Sequence, residues 1–127
     1  MSKIPNNVVR VDTSLDGDFF MHWFQYLQPI HNLTNREMEV ITCFVKKRYE
    51  LSKVISDNEI LDKVTMGEDT KKKIREELGI SPINFQVIMS KLRKSGVIEN
   101  NVINSKYIPN IREGEDSFNL VIHFNLK

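Results

Sequence analysis

This chain of 127 residues is short of the residue types that build most small-protein chemistry, with one cysteine, three histidines, four prolines and five glycines. A lone thiol, Cys43, cannot close an internal disulfide, which excludes a disulfide-stapled scaffold and fits a reducing compartment. Its place on an apolar helical stretch reads as a structural thiol rather than a nucleophile. No apolar run approaches the ~20 residues of a membrane helix. The stretch "MSKIPNNVVRVD" lacks the apolar core of a signal peptide, so export is not expected. There is no phosphate-binding glycine loop, no nucleophile elbow and no pair of histidines at metal spacing. His22, His31 and His123 stand far apart and read as surface or edge residues. Aspartates and glutamates are scattered over caps and surface positions. The expectation is a chain that is not an enzyme and carries no cofactor, metal or catalytic residue.

What is present is a globular composition, 40% hydrophobic and 28% charged, with length for one domain and one modest core. The formal net charge of +1 is a weak argument against a free-standing DNA binder, because phosphate neutralisation dominates such affinity. Charge is unevenly placed, however. Residues 70–98 hold seven Lys/Arg and two Glu, a surplus of +5, so the remainder carries −4. That basic half permits DNA contact without requiring it.

Two parts follow along the chain, an N-terminal arm over 1–33 and a domain over 34–127. The arm opens with a strand-like alternation at "VVRVD". In "FFMHWFQYLQPIHN", Phe20, Trp23, Phe24 and Leu27 then fall at i, i+3, i+4, i+7, one face of a short helix closed by Pro29. Phe19, Met21 and Tyr26 lie off that stripe. Five of the chain's eleven aromatics thus lie within eight residues, around most of one helix. Such a helix either caps the core or presents a second face to another subunit. On the second reading Phe19, Phe20, Trp23, Phe24 and Tyr26 are interface residues.

In the second part, Thr34 and Glu37 form a capping box ahead of Met38, Ile41, Phe44 and Val45. Ser56 and Glu59 repeat the device ahead of Ile60, Leu61 and Val64. A further helix, "TKKKIREELG", gives Ile74 and Leu78 to the core and stops at Gly79. Ser81 is a good N-cap and Pro82 suits the first helical position. Phe85, Ile88, Met89 and Leu92 form the buried stripe of the next helix, which ends near Gly96. Two helices joined by Gly79-Ile80-Ser81 have helix-turn-helix spacing. Asn100-Asn101 between apolar runs predicts a hairpin. The tail alternates Phe118, Leu120, Ile122, Phe124 and Leu126 with Asn119, Val121, His123 and Asn125, which predicts a half-buried strand. The predicted fold class is mainly α with a small β wing: a winged helix-turn-helix core carrying an aromatic helical extension.

With that stripe inward, Ile83, Val87, Ser90, Lys91 and Lys94 point outward. Asn84 and Gln86 on the flanks could approach an adenine edge, and Lys91, Arg93, Lys94 and Lys106 could reach phosphates. Ile83 and Val87 could touch thymine methyls or equally pack on a partner protein inside a basic rim. Both readings stay open on these residues.

"LGISPINFQVIMSKLRKSGVI" resembles the winged helix-turn-helix superfamily over roughly residues 34–108, without that superfamily's arginine-rich reading face. "FFMHWFQYLQPIHNLTNREMEV" and "KKRYELSKVISDNEILDKV" resemble segments of small virion proteins of crAss-like tailed phages, in which small helical proteins form the rings joining portal to tail. The second resemblance implies a structural ring or adaptor subunit of the virion, assembled in the host cytoplasm. Its partners would be other copies of itself and neighbouring portal or tail proteins, with no membrane. The alternatives are a cytoplasmic winged-helix transcriptional regulator and a small-terminase-like packaging protein, whose partner is double-stranded DNA.

Overall fold

The computed structural model describes residues 8–127; residues 1–7, part of the stretch read above for a signal core, lie outside the described residues. The described chain is mainly helical with one small antiparallel sheet. Its helices are α1 (Phe19–Tyr26), α2 (Gln28–His31), α3 (Asn35–Ser52), α4 (Asn58–Thr65), α5 (Glu68–Glu77) and α6 (Pro82–Lys94). The strands β1 (Ile98–Glu99) and β2 (Val102–Ile103) and a 3-10 turn (Ser105–Tyr107) follow.

Helix α3 is the axis of the fold. Thr34 Oγ1 accepts from the Glu37 N–H while the Glu37 carboxylate accepts from the Thr34 N–H, the expected capping box. Met38, Val40, Ile41, Phe44 and Val45 are all buried, an arc too wide for one neighbour. Accordingly α1, α4, α5 and α6 all pack against this helix. Arg48 pairs with Asp62 of α4 at 2.9 Å and Lys47 with Glu77 of α5 at 2.9 Å.

The arm belongs to the same core. Phe20, Trp23, Phe24 and Leu27 are buried as the spacing predicts, in one cluster with Phe44, Phe85, Leu92 and Tyr107. Trp23 Nε1–H donates to the Tyr107 carbonyl at 2.8 Å, a buried bond that ties α1 to the 3-10 turn. Pro29 sits in the first turn of α2, and Asn32 closes that helix in the left-handed region at φ 57°. The sequence boundary at 33/34 therefore falls in a loop before α3, with no break in the core.

The α5–α6 unit forms as its caps predict. Ser81 Oγ accepts from the Asn84 N–H at 3.2 Å and Pro82 opens α6. Gly79 has φ +63°, and a Cβ there would meet nothing within 4 Å. The strain of a side chain at this position is thus purely in the backbone. Gly79→Ala is expected to lower the unfolding free energy by about 1–2 kcal/mol in urea titrations, and Gly79→Asn by less. After α6, Ile98 pairs with Ile103 and Glu99 with Val102. Asn100 and Asn101 at φ 53° and 60° make the two-residue turn that this pairing requires.

Four expectations are corrected. The cap of α4 is Asp57, whose carboxylate accepts from the Ile60 N–H at 3.0 Å, rather than Ser56. That frame turns Leu61 and Thr65 inward and leaves Ile60 and Val64 exposed. His31 is buried instead of lying at a surface or edge. Residues 8–12 form no strand. The tail forms none either: Phe118 is half-buried, but Leu120, Ile122, Phe124 and Leu126 are all exposed. A half-buried strand needs an edge to pair with and a surface to cover. Two-residue strands offer too short an edge, and only Phe118 finds an apolar surface.

Candidate interaction face on α6

Burial along α6 separates its two sides. Phe85, Ile88, Met89 and Leu92 are buried, while Ile83, Asn84, Gln86, Val87, Ser90, Lys91, Arg93 and Lys94 are all exposed. The apolar pair is the unusual part: Ile83 is 78% and Val87 55% exposed. These residues lie one turn apart, so their side chains adjoin on the surface. Lys91 and Lys94 continue the same face toward the C-terminus. Among the described residues neither they nor Arg93 forms an ion pair. Lys106 lies away from α6 along the chain, its ammonium 5.4 Å from the Tyr107 ring centre.

The aromatic arm supplies much less surface than its sequence suggested. Phe20, Trp23 and Phe24 are 1%, 9% and 0% exposed, so these three are core residues rather than an interface. The reason is that α3 and the 3-10 turn enclose α1, and the Trp23–Tyr107 bond seals that side. Phe19 is half-buried against Phe20 and Phe118, with ring centres at 5.2 and 5.4 Å. Tyr26, half exposed, is what remains of the expected aromatic face.

Surface apolar residues also occur elsewhere, at Ile60, Val64 and the tail where periodicity placed core or strand. Val54, Ile60 and Val64 are exposed at and before α4, and residues 120–126 of the tail are exposed throughout. For the tail the sequence carried no such signal, since an alternating stretch forms a strand only if a partner strand exists, and that is not written in the stretch itself. Beside Val64 lies an open groove of about 630 Å³ between α3 and the start of α5, bordered by Lys47, Leu51, Gly67 and Thr70.

Reactive groups are few. Burial and the neighbouring Glu77 carboxylate push the Cys43 thiol up, against Lys47 and Lys46, which keeps it protonated and weakly nucleophilic at neutral pH. Among the described residues no three His, Cys, Asp or Glu side chains are placed to hold a metal ion. No helix among them is long and apolar enough to cross a membrane. Comparison with protein-family models, curated proteins and solved structures finds no match to this chain.

Proposed function

We propose that this chain is a non-enzymatic assembly subunit with a winged-helix core, one position of a ring or adaptor in a phage portal–tail connector. The observation that carries the reading is the outward face of α6, with Ile83 and Val87 exposed in its N-terminal half and unpaired basic residues toward its C-terminal end. An exposed apolar pair bordered by charge suits a protein partner, and burying each such side chain is worth roughly 1.5–3 kcal/mol. The α5–turn–α6 unit followed by a tight hairpin supports the winged-helix reading. The likeness of the first half of the sequence to small crAss-like virion proteins supports the place in the virion. The partners are other copies of the chain and adjoining portal or tail subunits.

A second reading, a DNA-binding regulator or small-terminase-like packaging protein, has its own observation. Asn84, Gln86, Ser90, Lys91, Arg93 and Lys94 are all exposed on α6, and Lys72 and Lys73 are exposed on α5. The mass of the purified protein with and without duplex DNA at moderate salt separates the two. Assembly predicts a monomer or large ring indifferent to duplex. A dimer that shifts onto duplex at submicromolar concentration would replace the assembly reading with the regulator. In that case Lys91→Glu with Lys94→Glu should abolish DNA binding without changing oligomer size, because phosphate contacts supply most of such affinity.

A further inference from the structure

We infer that the C-terminal tail of one copy docks on the outward face of α6 in the next copy. Residues 119–127 would lie along Ile83 and Val87, with Glu113, Glu115 and Asp116 reaching Lys91 and Lys94. The inference rests on the assembly reading and names the contact that would carry it.

Three observations lead there. The tail leaves the body at a fixed point: the Phe118 ring sits edge-on to Phe19 and Trp23, with centres 5.4 and 5.5 Å away. Beyond that anchor every residue is exposed, Phe124 and Leu126 at 78% and 93%. Alternation places Leu120, Ile122, Phe124 and Leu126 on one side of an extended chain. A segment with one apolar side is built to cover something.

The face of α6 has the matching spacing. Same-side residues of an extended chain recur every ~6.6 Å. Positions four apart on a helix, as Ile83 and Val87 are, recur every ~6 Å. Two consecutive apolar residues of the tail therefore reach both.

Charge sets the direction. The tail is acidic before its apolar part, where Glu113 and Asp116 stand beside a Glu115 paired with Arg112 at 3.9 Å. Helix α6 is apolar before its basic part, so they complement each other when antiparallel. Asp116 precedes Leu120 by ~13 Å of extended chain, and Lys94 follows Val87 by ~10 Å of helix. The chain's own tail leaves Ile83 and Val87 exposed, so a second copy is the occupant. Two different patches meeting head to tail are what a ring requires.

Two full-length variants test this. Val87→Asp removes the face and keeps the tail, whereas Leu120→Asp with Ile122→Asp removes the tail and keeps the face. Each should be monomeric in sedimentation where the wild type associates. Mixed together, they should form a one-to-one dimer, because one intact face then meets one intact tail. Lys91→Glu with Lys94→Glu should weaken association about tenfold or more, and Glu113→Lys, Glu115→Lys and Asp116→Lys in the partner should restore it. If the tail variant associates like wild type while Val87→Asp does not, the tail is not the occupant and the assembly reading stands. A wild type that neither self-associates nor enters particles would overturn both.

Discussion

Phe24→Ala is expected to lower the free energy of unfolding by about 3–5 kcal/mol, the loss typical of an aromatic removed from a closed core. Phe24 is fully buried, and its ring lies 5.9 Å from that of His31. Helix α1 is held by side-chain packing on α3 and by the Trp23–Tyr107 bond, and eight residues are too few for a helix to persist alone. A cavity at Phe24 therefore weakens the attachment of the whole arm. Against a total stability of about 5–15 kcal/mol for a domain of this kind, such a loss should shift the urea midpoint far toward lower denaturant. Tyr26→Ala, two residues on and half exposed, should change it by less than about 0.5 kcal/mol. Comparable small effects from both would mean that the arm is peripheral and its aromatics do not hold the fold.

The contrast between Phe24 and Tyr26 marks how far the sequence could be read. Periodicity identified the buried stripe Phe20, Trp23, Phe24 and Leu27 correctly, because a helix face is a local property of spacing. Caps were legible for the same reason at Thr34, where Glu37 completes a capping box, and at Ser81, where Pro82 marks the first helical position. At Ser56-Asp57-Asn58 three good caps are adjacent, and the one-residue shift moved Ile60 and Val64 from core to surface. How many sides of α1 would be covered was not legible, since that depends on where the 3-10 turn returns, 84 residues later. The tail failed in the opposite sense: its period of two was real, but nothing in a single chain announces that the partner strand is missing. On α6 the sorting into buried Phe85, Ile88, Met89, Leu92 and outward Ile83, Val87, Lys91, Lys94 was readable from the sequence. What that face binds was not, because exposure is shared by every kind of partner.

His31→Leu is expected to destabilise the fold by about 2–4 kcal/mol, since it leaves two buried backbone groups without their side-chain partner. The Leu33 N–H donates to His31 Nδ1 at 3.0 Å, so the ring proton is on Nε2, which donates to the Phe24 carbonyl at 2.7 Å. One neutral imidazole thus joins the end of α2, the loop before α3 and helix α1. Protonating Nδ1 would set its N–H against that of Leu33 and place a charge beside the Phe24 and Tyr107 rings. Burial accordingly holds the His31 pKa below the usual imidazole value, with the Phe24 hydrogen bond opposing in part. The unfolded chain then binds the proton more readily, so stability falls as pH drops below about 6.5. Urea titrations at pH 7.5 and pH 5 check both statements. Wild type should lose stability at the lower pH, and the gap between wild type and His31→Leu should narrow there, because the leucine variant lacks this titration. An unchanged gap would show that the imidazole is charged or solvated in the folded chain and does not join these elements as a neutral ring.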